Sequence, residues 1–274
     1  MKVLIPTDFS KSARSAFDYG YQLVKELSGL EIILLNSYEM PTAGVSGGVM
    51  MNLEEAMEKE SKNDLLLEVK ELKEIYPDVE IRTISRYGSI VNSITRTCSE
   101  EEVDFVVMGT HGASGLKKAL IGSNTQKVIE NCSVPVISVP KDWKFKKIKN
   151  IVYATDLNRL ENPAILAPIC SLAETEDATI HIVYVAKHKG EIDLKKEVEN
   201  LPLNKHFKDR PREFVLIESK DVSEGIDKYV NEIAADLVVM IPKDATFWNS
   251  LFRRSITEKL AFQLKVPMLS LKDQ

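Results

Sequence analysis

Two stretches separated by more than half the chain read as copies of one another. KVLIPTDFS at 2–10 parallels NIVYATDLN at 150–158; each is a short apolar run ending in Thr-Asp, with Asp8 matched to Asp156 at an offset of 148. The next apolar runs, EIILLNSYE at 31–39 and TIHIVYVAK at 179–187, keep that offset. Farther on, VDFVVMGTHG at 103–112 parallels ADLVVMIPKD at 235–244, and SVPVISV at 133–139 parallels KVPMLSL at 265–271, both at an offset of 132. The second copy is therefore about 16 residues shorter, and the loss falls where the first carries MPTAGVSGGVMMNLEEAMEKESKND. Such a repeat constrains the fold: what one half forms the other must form too, and half of 274 residues is an ordinary domain size. We expect domains at 1–140 and 150–274, joined by a solvated basic linker at 141–149, KDWKFKKIK.

Within the first copy, strand and helix patterns alternate. VLIPT is a short run of apolar and β-branched residues. KSARSAFDYGYQLVKELSG then places Ala13, Ala16, Phe17, Tyr21, Val24 and Leu27 at helical spacing, with Ser10 as N-cap and Gly29 past the end. EIILLNSY is a second strand, the charged stretch from Asn52 to Pro77 a long helix, and VEIRTISRYG a third strand. A helix at SIVNSITRTCSEEEV, a strand at DFVVMG, a helix at SNTQKVIENC and a strand at VPVISVP complete the set. Continuous apolar strands between helices predict parallel sheets covered on both faces. The expected fold is α/β: two tandem doubly wound, Rossmann-like domains, each a five-stranded parallel sheet flanked by helices.

Charge and cysteine content narrow the partners. A net charge of −5 gives no broad positive field, so nucleic acid is not expected. No run approaches a membrane span, and MKVLIPTDFS lacks the long apolar region of a signal peptide. Three widely spaced cysteines, Cys98, Cys132 and Cys170, read as small buried hydrophobes in a reduced, cytoplasmic setting.

The segment GTHGASGLKKALIGS at 109–123 holds Gly109, Gly112, Gly115 and Gly122, four of only 12 glycines. It starts where the fourth strand ends, on the side of the sheet where doubly wound folds take ligands. Gly109 and Gly112 can adopt positive φ and present no Cβ to a ligand. Ser123 is a candidate N-cap, or an anion donor, at a helix N-terminus whose free N–H groups favour phosphate. Two tight loops with no ligand explain the glycines equally well.

The spacing goes further. Gly109-x-x-Gly112, nine residues, then Gly122-Ser123 resembles the ATP-binding signature of the universal stress protein family, and the PTD strand ending at 6–8 and SVPVISV resemble that family too. The resemblance covers nearly the whole chain as two tandem copies. It implies that Pro6, Thr7 and Asp8 line the adenosine, with Asn36 near the base and Met108 and Gly109 beneath the nucleotide. Gly112, Gly122, Ser123 and Asn124 would contact the phosphates, with His111 in the same loop as a further donor. Mg²⁺ could bridge the phosphates, since no carboxylate cluster announces a protein metal site. The apolar, glycine-containing stretch 41–51 is a candidate lid or a plain connection.

At the matching positions of the second copy stand Ile241, Asp244 and Arg254 in place of Gly109, Gly112 and Gly122, with Ser255 alone retained. One nucleotide per chain is therefore expected, in the first copy. The reading is an ATP-binding regulator of a stress response, with a protein partner that the sequence does not name. Its alternatives are a slow ATP hydrolase or autophosphorylating protein and a nucleotide-independent scaffold; no catalytic residue, P-loop or metal motif is evident. The family dimerises through its last strand, so VPVISV and VPMLSL are expected to make an intramolecular pseudo-dimer, with a homodimer of chains open.

Overall fold

The computed structural model describes residues 1–25, 29–40, 47–110, 122–157, 160, 162–186, 207, 210–241 and 265–273. The chain forms two compact units, with the break between Lys144 and Phe145.

The first unit runs β1 (Lys2–Pro6), α1 (Lys11–Val24), β2 (Glu31–Tyr38), α2 (Gly47–Ile75), β3 (Ile81–Tyr87), α3 (Ile90–Glu100), β4 (Phe105–Gly109), α4 (Ser123–Asn131) and β5 (Val136–Val139). Its strands lie in the order β3-β2-β1-β4-β5 and every neighbouring pair is parallel. The central strands are buried almost end to end, as a sheet covered on both faces requires.

α1 starts where Ser10 Oγ accepts the Ala13 amide at 3.3 Å. It packs closely because its inner face is small: a Cβ at Gly20 would lie 3.2 Å from Val107 Cγ2 and 3.3 Å from Ile5 Cδ1. α2 buries a stripe at Ser61, Leu65, Glu68 and Leu72, spaced by four, three and four residues. The buried Glu68 carboxylate accepts Arg14 Nη2 at 2.7 Å, and the same guanidinium pairs with Glu71. α2 begins at Gly47, five residues before the expected start, so 47–51 are helical and not a plain connection; 41–46 lie outside the described residues.

The second unit runs β6 (Asn150–Ala154), a 3-10 turn (Pro163–Leu166), α5 (Ala167–Glu176), β7 (Thr179–Ala186), β8 (Arg212–Glu218), α6 (Val222–Glu232), β9 (Leu237–Met240) and β10 (Met268–Ser270). Its strand order, β10-β9-β6-β7-β8, is the counterpart of the first, again all parallel. The stretch 145–149 is not uniformly solvated: Ile148 is buried, and Asp236 Oδ2 accepts the amides of Lys149 and Asn150 at 2.7 and 3.0 Å.

The two copies agree in detail. α3 and α6 both end with a non-glycine residue in the left-handed region, Glu102 at φ 52 and Ala234 at φ 50, followed by a six-to-one backbone bond. Val103 N donates to Cys98 O at 3.1 Å in one copy, and Ala235 N to Val230 O at 2.9 Å in the other. Asp104 and Asp236 each accept a backbone amide from the strand beside them.

Candidate functional site

In the order β3-β2-β1-β4-β5 the connections change direction between β1 and β4. The crevice beyond the carboxyl ends of those two strands is where a doubly wound sheet takes a ligand. The stretch after β1 is Thr7, Asp8, Phe9 and Ser10; β4 ends at Gly109.

The β1 turn is tightly held. Thr7 N donates to Leu35 O at 2.8 Å, and Thr7 Oγ1 accepts the Phe9 amide at 2.9 Å. Asp8 Oδ1 accepts the Ser10 amide at 3.2 Å, while Asp8 itself is exposed. The turn forces Phe9 to φ 61, an uncommon angle for a bulky residue. Asn36, expected near a base, is buried, and its side chain is already engaged: Nδ2 donates to Thr7 O at 2.8 Å and Oδ1 accepts Ser61 Oγ at 2.7 Å.

On the other side of the switch point, the end of β4 and the start of α4 are bonded together. Gly122 N donates to Thr110 O at 2.7 Å and Thr125 Oγ1 donates to Gly109 O at 3.0 Å. Gly122, not Ser123, is the N-cap of α4, and no side chain caps that helix. Ser123 and Asn124 are exposed in its first turn. An uncapped helix start carries unsatisfied N–H groups and the positive end of the helix dipole. Pro6 and Met108 are buried strand residues on β1 and β4. Gly109 does not adopt positive φ, and Gly122 sits at φ −61; their lack of a side chain serves close packing instead. A Cβ at Gly109 would lie 2.4 Å from Ser12 Oγ and 2.8 Å from Ser12 O, and one at Gly122 would lie 2.9 Å from Thr110 O. His111 and Gly112 lie outside the described residues, as do Gly115, Lys117 and Lys118.

A cleft of about 550 Å³ opens nearby, lined by Glu39, the start of α3 at Ser89–Asn92, and Asn124, Lys127 and Asn131 of α4. Of the expected residues it takes in Asn124. Tyr38, next to Glu39, meets Tyr87 edge-on at 5.9 Å. Burial and the nearby Glu58 carboxylate push the Tyr38 phenol above its usual range, so it stays protonated. The buried thiols of Cys98 on α3 and Cys132 after α4 stand 3.8 Å apart without a disulfide between them.

The profile of the universal stress protein family matches this chain twice, over residues 1–140 and 147–272. The chain belongs to the universal stress protein family. It is 32% identical over 159 residues to universal stress protein MJ0577 of Methanocaldococcus jannaschii, covering 51% of this chain and 94% of that protein. Universal stress protein MJ0531 of the same organism is 30% identical over 143 residues, 52% of this chain and 84% of the relative. The crystal structure of a universal stress protein from Archaeoglobus fulgidus superposes with a TM-score of 0.72 at 19% identity, covering 100% of this chain and 98% of that one, a likeness of fold.

The expected strands put the Thr-Asp turn after β1 and Gly109 at the end of β4, where the structure has them; the glycine segment from 111 to 121 lies outside the described residues. Three residues beside these elements are missed from the sequence: Ser12, whose approach demands Gly109, Ser61, which bonds to Asn36, and Ser85, which bonds to Ser61. Ser61 carries a legible signal, since it falls on the buried stripe of α2. Ser12 and Ser85 carry none without the strand order.

Proposed function

We propose that the first universal stress protein copy binds one adenine nucleotide, ATP, and serves as a ligand-responsive regulator in a stress response. One observation carries the reading: an exposed carboxylate on a rigid turn and a helix N-terminus with no side-chain cap face the same switch point. Asp8 suits ribose hydroxyls or an adenine N–H, and as an anion it disfavours phosphate. The first turn of α4, with Gly122, Ser123 and Asn124, suits the phosphates. Asn36 acts on this site through Thr7 and not through its own amide. Mg²⁺ would arrive on the phosphates, for among the described residues no group of three His, Cys, Asp or Glu side chains could hold a metal.

A second reading, a nucleotide-independent scaffold, draws on the glycines. Gly109 and Gly122 are each required by packing alone, so their presence is compatible with a site that takes no ligand.

Calorimetric titration with ATP separates the two. The reading expects saturable binding, with ATP also released on denaturing protein purified without added nucleotide. Asp8→Ala and Ser123→Ala change exposed side chains and should each weaken binding by about tenfold, the scale of one charge-assisted or neutral hydrogen bond. No heat and no released nucleotide would leave the scaffold reading standing.

A further inference from the structure

We infer that Asn36, Ser61 and Ser85 form a positioning relay that sets the nucleoside end of the site, wiring α2 into it. The inference rests on the nucleotide-binding reading above.

The directions of the hydrogen bonds follow from donor counts. Asn36 Nδ2 donates to Thr7 O at 2.8 Å, which turns Oδ1 toward α2. Ser61 Oγ donates to that oxygen at 2.7 Å. The single hydroxyl proton of Ser61 is thereby committed, so at the 2.7 Å contact with Ser85 it is Ser85 Oγ that donates. A one-way chain thus runs from β3 through α2 and β2 to the carbonyl of the residue that precedes Asp8. With Leu35 O on its N–H and the Phe9 amide on its hydroxyl, Thr7 is fixed at all three polar groups.

The second copy supplies an internal comparison. It keeps the turn: Thr155 N donates to Val183 O at 3.0 Å, Thr155 Oγ1 accepts the Leu157 amide at 3.1 Å, and Leu157 sits at φ 59. It keeps the strand pairing as well, with Tyr184 opposite Leu216 where the first copy has Asn36 opposite Ser85. The relay residues on both strands are therefore replaced, although the same β-turn-β framework forms without them. The fold does not need the relay. The copy that retains the glycine signature retains it, and the copy that has lost the signature has lost it.

Buried polar groups cost stability unless they are hydrogen-bonded; Asn36 and Ser61 are buried, and each member of the chain, half-buried Ser85 included, has a partner. Holding the Thr7–Asp8 peptide in one orientation removes the ordering cost that a ligand would otherwise meet at Asp8.

The test uses the full chain with ATP, adenosine and inorganic tripolyphosphate, titrated into wild type, Ser61→Ala, Ser61→Thr and Asn36→Leu, with thermal unfolding of each. The inference expects Ser61→Ala and Asn36→Leu to weaken ATP and adenosine on the order of tenfold while tripolyphosphate affinity holds. Ser61→Thr, which restores the hydroxyl, should return adenosine affinity toward wild type and serves alone if the other two fail to fold. Equal losses for adenosine and tripolyphosphate would reduce the relay to general structural support and overturn the inference. Unchanged adenosine affinity in a folded Ser61→Ala overturns it also and leaves the ATP reading intact. No binding by wild type removes both.

Discussion

A methyl group added at Gly109 would meet Ser12 Oγ at 2.4 Å and the Ser12 backbone at 2.8–2.9 Å, distances that real Cβ atoms do not tolerate. The hydroxyl can swing away, but the α1 backbone cannot without leaving the sheet. The second copy bears this out by its own solution. Ile241 stands where Gly109 does, and at Leu160, the match of Ser12, the backbone is not helical; among the described residues helical turns begin at Pro163. Both Ile241 and Leu160 are buried, and without a helical residue at 160 the Ser12-type backbone approach that excludes a side chain at 109 is not repeated there. The glycine spacing is visible in the sequence, but its cause at Gly109 is a long-range contact with residue 12, which no local pattern exposes. Gly109→Ala should therefore lower unfolding stability by about 1–3 kcal/mol in nucleotide-free protein, the cost of forced overpacking. Gly122→Ala, facing a backbone oxygen at 2.9 Å, should lose a similar or smaller amount. Urea unfolding without ligand measures both. Wild-type stability in the two variants would return these glycines to a purely ligand-binding role.

Among the elements, the strands, α1 and α3 were legible because apolar runs, caps and small-residue faces all agree locally. The start of α2 was not: Gly47 and Gly48 open it against their intrinsic propensity, so residue chemistry there argues for a loop. The cap of α4 was misplaced by one residue because Ser123 is the better capping side chain, yet the bond from Gly122 N to Thr110 O fixes the turn before it. The ends of α3 and α6 carry a prediction of their own. Glu102 and Ala234 occupy left-handed positions that favour glycine, and a six-to-one backbone bond closes the helix around each. A non-glycine residue there costs about 1–2 kcal/mol, part of which glycine returns as unfolded-state entropy. Glu102→Gly should thus raise stability by roughly 0.5–1 kcal/mol, read as an upward shift of the thermal midpoint. A lower midpoint would mean that the Glu102 side chain has a role that outweighs its backbone strain.

For the chain as a whole, duplication followed by divergence makes the number of ligands a sharper test than affinity. Both copies present a Thr-Asp turn with the same backbone geometry, down to a left-handed residue one place after the Asp. If the turn alone made the site, two nucleotides would bind. The second copy, however, has an isoleucine at the end of its fourth strand, Tyr184 and Leu216 in place of the relay, and no glycine at 244 or 254. An added side chain at the strand end removes space, and an Asp at 244 sets a like charge against any phosphate. If each change costs about one order of magnitude in affinity, a second site is expected to lie beyond reach of ordinary ligand concentrations. Equilibrium dialysis at saturating ATP should therefore count one nucleotide per chain. Asp156→Ala should leave the isotherm where it was, while Asp8→Ala shifts it. A count of two, or an equal response to both substitutions, would mean that the Thr-Asp turn recognises the nucleoside without help from the glycine segment.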